Sequence, residues 1–175
     1  MRRRVLWVAL GVGLALAGLV GVLATREPAV NTAADSPLLG RPAPEIAAAT
    51  LDGGRVRLSE QRGRWVLVNF FNSWCVPCRQ EHPELLKFSA RHAAAGDAVI
   101  LGVIHDDDPD EVRRYRAEHG GDWPAVDDPR GTVALEYGVR GQPETFVVSP
   151  DGVVVARYVS AVSADGIDAL LRRLA

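Results

Sequence analysis

The stretch that decides the fold runs from Trp65 to Cys78 and reads WVLVNFFNSWCVPC. Its first half, Trp65 to Phe71, is a nearly continuous apolar run of strand length, which is typical of a strand buried on both faces. Cys75 follows four residues later, and Pro77 to Ala95 then shows the apolar spacing of a helix. The sequence therefore predicts a strand, a tight turn and a helix, with two cysteines at the turn.

These two cysteines, three positions apart, are the only ones in the chain. Cys75 is expected at or just before the first helical turn, where unpaired backbone N–H groups and the positive end of the helix dipole favour a thiolate. Cys78 is expected one turn deeper and less exposed. An exposed thiolate can attack a disulfide, and a second thiol three positions on can resolve the mixed disulfide. The arrangement therefore predicts redox chemistry.

Three other roles for the pair are weaker. A purely structural disulfide would close a very short loop and constrain the unfolded chain little. A zinc site needs four ligands, and the histidines at 82, 92, 105 and 119 do not fall at ligand spacing. Haem attachment needs Cys-x-x-Cys-His, and Arg79 stands where that histidine would be. We predict no metal site and no cofactor, and we interpret His82 as a surface histidine.

The flanking sequence completes an α/β pattern. We predict a hairpin over 46–58, a second buried strand over 98–104, a helix capped by Asp108 that ends near His119, a short helix over 133–137, a hairpin over 144–159 and a closing helix over 163–174. The run Asp106-Asp107-Asp108 is interpreted as solvated, apart from the cap. Helices between the early strands imply parallel pairing, and the late hairpin implies an antiparallel edge. The fold class is therefore α/β, a mixed central sheet flanked by helices on both faces.

The N-terminal end predicts a membrane segment. Three arginines precede Val5 to Leu23, which runs 19 residues without a charge. That length can cross a hydrocarbon core of ~30 Å as a helix, and the arginines predict a cytoplasmic N-terminus. A cleaved signal peptide ending at Val22-Leu23-Ala24 is the alternative. We therefore divide the chain into an anchor or signal (1–24), a flexible Pro-rich linker (25–44) and one domain (45–175).

The charge pattern bounds the partners. The formal net charge is −2, and no basic patch with interleaved aromatic residues is present, so nucleic acid is not an expected partner. No feature of the sequence predicts an oligomer. A tethered monomer is the default expectation.

Two motifs suggest a family. WCVPC in its strand–turn–helix context resembles the thioredoxin superfamily, and NFFNSWCVPCRQEHPEL resembles its membrane-anchored TlpA/ResA/DsbE branch. GVRGQPETF, over residues 138–146, resembles the fingerprint of the DsbE (CcmG) cytochrome c maturation proteins. The resemblance covers nearly all of residues 42–175. It implies a thioredoxin-like fold.

The resemblance also implies a function and a location. Such a protein is a thiol-disulfide oxidoreductase held by a single span in the cytoplasmic membrane, with its catalytic domain outside the cytoplasm. It passes electrons from a membrane thiol transporter of the DsbD or CcdA type to oxidised apocytochrome c. The Cys-x-x-Cys-His motif of the apocytochrome must be reduced before haem attaches.

The same resemblance assigns the reacting residues. Cys75 matches the nucleophile and Cys78 the resolving thiol, and together they match the redox-active disulfide. Pro143 matches a cis-proline beside that disulfide, which would turn the Gln142 backbone towards Cys75 to pair with a substrate strand. Glu81 matches a buried carboxylate that could take the Cys78 proton, with its pKa raised by desolvation. The alternative for Glu81 is a solvated helix face.

Two further residues belong to the expected site, each with an alternative, and Asn72 marks a departure from the family pattern. Trp74 would cover Cys75 and supply an apolar contact surface, or it would be a plain core tryptophan. Glu144 would line the groove or accept substrate hydrogen bonds, or it would be an exposed strand residue. Asn72 departs from the small residues expected before SWC, and it could hydrogen-bond the active-site loop or change the redox potential.

Other functions use the same residues. A disulfide oxidase or isomerase of exported proteins would share the fold and the cysteines and differ only in redox potential and partners. A copper-delivery protein for an oxidase is a non-enzymatic alternative, although related copper sites usually have wider thiol spacing. A peroxidase of the peroxiredoxin type would need a catalytic cysteine in a Thr-containing loop, which the sequence lacks.

Overall fold

The computed structural model describes residues 2–24 and 30–175. Its helices are α1 (Arg2–Ala24), α2 (Val76–His92), α3 (Pro109–His119), α4 (Thr132–Tyr137) and α5 (Ala164–Leu174). Its strands are β1 (Ala47–Ala49), β2 (Arg55–Arg57), β3 (Trp65–Phe71), β4 (Ala98–Ile104), β5 (Ala125–Asp127), β6 (Glu144–Val148) and β7 (Val154–Tyr158). The elements predicted from the sequence after residue 45 are all present, with ends that differ by a few residues.

A five-stranded mixed sheet forms the centre of the domain, in the order β5-β4-β3-β6-β7. β3 pairs in parallel with β4, and β4 with β5, whereas β6 is antiparallel to both β3 and β7. All seven residues of β3 are buried. The predicted mixed sheet and its antiparallel edge are confirmed.

The two faces of the sheet carry separate cores. Val66, Val68 and Phe70 pack with residues of β4, β6 and α4, whereas Leu67 lies on the opposite face among residues of α2 and α5. This division follows from the period of two along a strand, which sends neighbouring side chains to opposite faces. The apolar run of β3 therefore serves both cores at once.

The site forms at one edge of this sheet. β3 and β4 run in parallel, so their carboxyl ends at Phe71 and Ile104 lie side by side. The loop from β3 to α2 and the loop from β4 to α3 therefore meet at that edge. The start of β6 lies there too, because β6 is antiparallel to β3 and Glu144 pairs with Phe70.

The sequence did not reveal β5. It is only three residues long and directly follows Pro124, so neither an apolar run nor an alternation marks it. Its hydrogen bonds to β4 define it, with Gly102 opposite Ala125. A strand this short depends on tertiary context.

The N-terminal part of the domain differs from the prediction. Residues 25–29 lie outside the described residues, but residues 30–44, which we call the strap, follow the free edge of β7. Ala34 N–H donates to Arg157 O at 2.9 Å, and Val154 N–H donates to Arg41 O at 2.9 Å. The strap satisfies backbone groups that an edge strand would otherwise leave open. Residues 30–44 therefore pack against the domain, whereas the sequence predicted a flexible linker there.

α1 spans 23 residues. Among the residues that the structure describes, no helix meets the combined length and hydropathy of a membrane span.

Candidate active site

Cys75 and Cys78 form a disulfide at the N-terminus of α2. Cys75 is the N-cap residue, and its Sγ accepts a hydrogen bond from Cys78 N–H at 3.3 Å. Pro77 lies within the first turn, where its missing N–H removes no helical hydrogen bond. After reduction, the same N–H and the helix dipole would stabilise a Cys75 thiolate.

The exposure of the pair differs from the prediction. Cys75 is 6% exposed and Cys78 is 4% exposed, so the expectation of an exposed Cys75 is wrong. Phe71 and Ile104 at the ends of β3 and β4 belong to the same apolar cluster as both sulfurs, and Val76 forms an exposed rim beside them. The exposed surface beside Cys75 therefore includes an apolar side chain.

Trp74 is the other part of that rim. Its side chain is 58% exposed, and its Nε1–H donates to Asp106 O at 3.2 Å. A plain core tryptophan is therefore excluded. Its role as a contact surface for substrates stays a prediction.

The loop before β6 brings a cis peptide bond to the disulfide. Gly138 closes α4 with a φ of 67°, which glycine adopts without steric cost. The Gln142–Pro143 bond is cis, as the resemblance implied. Gln142 O lies 3.6 Å from Cys75 Sγ. In the disulfide that sulfur carries no proton, so the distance describes a contact and not a hydrogen bond.

Glu144 is buried, and the interpretation as an exposed strand residue is wrong. Its Oε1 accepts a hydrogen bond from Arg140 N–H at 2.9 Å. Its Oε2 is 2.8 Å from Nη2 of Arg157 on β7, and both side chains are less than a tenth exposed. Arg157 also donates to Gly138 O at 3.3 Å. The ion pair therefore holds the cis-proline loop to the edge of the sheet.

A cavity of about 620 Å³ lies between this loop and the strap. Gln142, Pro143 and Glu144 line it on one side, and Ala34 and Asp35 line it on the other. The groove that the sequence predicted for Glu144 is present. Its lining by the strap was not predicted. Whether substrates use it stays a prediction.

Glu81 lies in α2, one turn after Cys78, and is 1% exposed. Its Oε1 accepts from Asn69 Nδ2 at 2.8 Å, and its Oε2 accepts from Val162 N–H at 3.1 Å. Desolvation by burial raises the pKa of Glu81 to about 7, against the lowering effect of these two hydrogen bonds. The solvated helix face is excluded, and the expected burial and raised pKa are confirmed.

This burial has a consequence for stability. The Glu81 carboxyl loses its proton near its ordinary value of 4.5 in the unfolded chain but only near pH 7 in the folded one. The free energy of unfolding should therefore fall as the pH rises from about 4.5 to 7 and stay lower above that, by on the order of 3 kcal/mol from this group. We expect Glu81→Gln, which is neutral at every pH, to be more stable than the native protein at pH 8 and to lose this slope.

Urea unfolding of the disulfide form at pH 5 and pH 8 measures the effect. An equal difference between Glu81→Gln and the native protein at both pH values would contradict it.

The acidic run after β4 holds the active-site loop, although the sequence suggested a solvated run and a cap. The Asp107 carboxylate accepts from Ser73 N–H at 2.5 Å and from Asp108 N–H at 2.8 Å. Asp108 caps α3 as predicted. Asn72 Nδ2 donates to Asp106 O at 3.3 Å, so the hydrogen bond expected of Asn72 is present.

We expect Asp107→Ala to lower the free energy of unfolding by about 1–2 kcal/mol, because two backbone N–H groups lose a charged acceptor. Urea denaturation checks this. Asp106→Asn is the matched control, since Asp106 contacts the loop through its backbone carbonyl and asparagine tolerates its positive φ of 65°. Equal stabilities of the two variants would refute the role assigned to Asp107.

His82 is buried, and its interpretation as a surface histidine is wrong. Its Nε2 lies 3.1 Å from Gly120 O, and its ring packs against Tyr115 and Trp123. Desolvation lowers the pKa of His82. The His82 side chain lies between α2 and α3. The side chain of Glu81, the preceding residue, faces the sheet instead.

Within residues 2–24 and 30–175, no cluster of three or more His, Cys, Asp or Glu side chains could hold a metal ion.

The comparisons with known proteins agree with the site. The AhpC/TSA family profile matches residues 39–157. The chain is 38% identical over 146 residues to a thiol:disulfide interchange protein DsbE homologue of Paracoccus denitrificans, which covers 81% of this chain and 76% of that protein. It is 34% identical to the thiol:disulfide interchange protein HelX of Rhodobacter capsulatus, over 87% and 86% of the two chains. The thioredoxin domain of a Bacteroides vulgatus thiol-disulfide oxidoreductase superposes with a TM-score of 0.69 at 27% identity, over 79% and 99% of the two chains.

The fold and the disulfide at the start of α2 therefore define a thioredoxin-like thiol:disulfide oxidoreductase. The chain belongs to the AhpC/TSA family, among relatives named DsbE, HelX, CycY and ResA.

Proposed function

We propose that this protein reduces the disulfide of apocytochrome c, in the Cys-x-x-Cys-His motif, during cytochrome c maturation. The observation that carries the proposal is the meeting of the disulfide with the cis-proline loop of GVRGQPETF, where Gln142 O lies 3.6 Å from Cys75 Sγ. That carbonyl is free of the central sheet and can pair with the backbone of an extended peptide. The relatives named DsbE and HelX support the same assignment.

The proposed reaction uses two thiol exchanges. The Cys75 thiolate attacks one sulfur of the apocytochrome disulfide and releases the other sulfur as a thiolate, which leaves a mixed disulfide. The Glu81 carboxylate then takes the proton of the Cys78 thiol. The Cys78 thiolate attacks Cys75 Sγ, which releases the second substrate sulfur and forms the Cys75–Cys78 disulfide. Two electrons pass to the substrate, and Glu81 ends protonated.

We propose that the domain works outside the cytoplasm as a tethered monomer. The charge-free run from Val5 to Leu23, preceded by arginines, supports a single membrane anchor. A membrane thiol transporter of the DsbD or CcdA type would return the disulfide to the dithiol state. An accessible cysteine placed at residue 27, and labelled from one side of sealed vesicles, would test the orientation.

The experiment that tests the function measures electron transfer to a peptide. The reduced protein is mixed with an oxidised Cys-x-x-Cys-His peptide, and both thiol states are followed by mass spectrometry after acid quenching. We expect peptide reduction matched by formation of the Cys75–Cys78 disulfide. Insulin with its native disulfides serves as the control for general disulfide reduction.

The reduction potential separates this function from the alternative. A value near or below ~−270 mV fits a donor of electrons. A value near ~−120 mV, together with no reduction of the peptide, would overturn the proposal in favour of a disulfide oxidase.

A further inference from the structure

Asn69 places a buried side-chain amide in β3. Its Nδ2 donates to Glu81 Oε1 at 2.8 Å and to Thr145 Oγ1 at 3.0 Å. Its Oδ1 is also buried but has no hydrogen-bond partner anywhere in the described part of the chain. One end of the amide thus makes two hydrogen bonds, and the other end makes none.

Both partners can change between accepting and donating. An ionised carboxylate only accepts, whereas a protonated carboxyl also donates through its O–H, and a threonine hydroxyl can do either. The amide nitrogen carries two hydrogens, and the amide oxygen has two lone pairs. As oriented in the structure, Asn69 Nδ2 therefore matches an ionised Glu81. After a half-turn about the Cβ–Cγ bond, Oδ1 would occupy the same place and accept from protonated Glu81 and from the Thr145 hydroxyl.

The half-turn preserves the number of hydrogen bonds. Because no donor faces Oδ1 in the present orientation, turning the amide breaks no hydrogen bond at that end. Each orientation makes two hydrogen bonds, one with Glu81 and one with Thr145. A buried carboxyl without such a partner would carry the full desolvation cost of an unpaired polar group.

We propose that Asn69 is a positioning residue whose side-chain amide turns over each time Glu81 gains or loses its proton. The proposal rests on the proposed role of Glu81 as the acceptor of the Cys78 proton. In the dithiol state Asn69 donates to the Glu81 carboxylate. When Cys78 S–H passes its proton to Glu81 and Cys78 Sγ bonds to Cys75 Sγ, Asn69 Oδ1 accepts from the new carboxyl O–H. The carboxyl thus stays hydrogen-bonded in both states.

The surroundings of Glu81 make Asn69 the main partner that can respond. Val162, in the segment before α5, offers a backbone N–H, which only donates. Cys78 precedes Glu81 by one turn on α2. Tyr115 on α3 is the other titratable group that senses the Glu81 charge, and the guanidinium of Arg79, on α2, lies 5.4 Å from the Tyr115 ring. The groups offered by β3 and β6 are the neutral side chains of Asn69 and Thr145.

Nuclear magnetic resonance of the full-length disulfide form tests the proposal, because the chain has only three asparagines, Asn31, Asn69 and Asn72. With asparagine side chains labelled with ¹⁵N, a titration from pH 5 to pH 9 follows each amide, and the Glu carboxyl ¹³C signals follow Glu81. At pH values above the midpoint of the Glu81 titration, we expect a nuclear Overhauser contact between the Asn69 amide hydrogens and the Thr145 side chain. Below that midpoint the contact should disappear. In Glu81→Gln the pH dependence should disappear.

Asn72 is the matched internal control. It is equally buried, and its Oδ1 also lacks a partner within the described residues, but it contacts Asp106 O and not Glu81. Its amide signals should not follow the Glu81 titration.

A kinetic experiment tests the same inference: Asn69→Leu should slow resolution of the mixed disulfide by Cys78 by about tenfold, the effect of one hydrogen bond to a charged group. The pH at which that rate is half-maximal should also move, which a purely structural role would not produce.

Two results would overturn the inference in different ways. If Glu81 titrates while the Asn69–Thr145 contact persists at every pH, Asn69 is a fixed donor, and the role of Glu81 survives. If Glu81 does not titrate between pH 5 and pH 9, and Glu81→Gln resolves the mixed disulfide at the native rate, both the inference and the proposed proton transfer are wrong.

Discussion

Replacement of Cys75 by serine is expected to abolish thiol:disulfide exchange, and replacement of Cys78 by serine should turn the protein into a trap for its substrates. Cys75 Sγ accepts a hydrogen bond from Cys78 N–H and lies beside the cis-proline loop. Of the two sulfurs, Cys75 Sγ is therefore the one that combines a stabilised thiolate with a backbone segment that can bind a substrate peptide. Without Cys78, the mixed disulfide on Cys75 has no neighbouring thiol to resolve it. The adduct should accumulate.

Mass spectrometry of the protein after incubation with an oxidised Cys-x-x-Cys-His peptide measures this difference. The Cys78→Ser protein should carry one peptide per chain, removable by a reductant, and the Cys75→Ser protein should carry almost none. An adduct on Cys78 of the Cys75→Ser protein, formed at a similar rate, would show that the two thiols are equivalent. The roles assigned to them would then be wrong.

Replacement of Arg157 by methionine is expected to lower the free energy of unfolding by about 3–5 kcal/mol. The Arg157 guanidinium is paired with the Glu144 carboxylate at 2.8 Å, and both are buried. Removing the cation alone leaves the carboxylate uncompensated in a region of low dielectric. Methionine keeps much of the apolar length of arginine, so the loss of packing is small by comparison.

The double variant Arg157→Met/Glu144→Leu separates the charge from the packing. With both charges absent, most of the lost stability should return, because a buried ion pair contributes little beyond its own desolvation. Urea unfolding of the disulfide form provides all the values of the cycle. If the double variant were as unstable as Arg157→Met, the cost would come from packing or from the other hydrogen bonds of Arg157.

The sequence predicted those parts of the fold that local patterns encode. The run from Trp65 to Phe71 and the run from Ala98 to Ile104 match β3 and β4 residue for residue, because a strand buried on both faces favours a nearly continuous apolar run. The N-cap residue Asp108 and the proline that follows it, Pro109, correctly predicted the start of α3. Such signals lie within a few neighbouring residues.

Polar residues inside these runs were harder to interpret. Asn69 sits within the apolar stretch of β3, and nothing in its neighbours indicates that Glu81 and Thr145 would lie against it. Arg157 lies in β7, at the predicted antiparallel edge of the sheet, and it is buried. Its partner Glu144 is thirteen positions away and meets it only through the pairing of β6 with β7. The partner of a buried charge is set by sheet register, which single-sequence patterns do not report.

The predicted site residues lie near one another, but parts of their geometry were not predicted. Cys75, Cys78, Glu81 and Pro143 do gather at one end of the sheet. The depth of Cys75 was missed because its apolar cluster includes, besides the nearby Phe71, residues that are distant in the chain: Leu51, Ile104, Val112 and Ala125. The support that Asp107 gives to Ser73 was missed for the same reason, since 34 positions separate the two residues.

The strap has a consequence for how the molecule avoids self-association. β7 is the last strand of the central sheet, and an open strand edge is a template for pairing with another chain. Backbone hydrogen bonds from Ala34, Gly40 and Val159 across the strap and β7 occupy part of that template. A chain that began at residue 45 would leave this edge bare. The strap therefore also limits edge-to-edge pairing between the sheets of two copies of the chain.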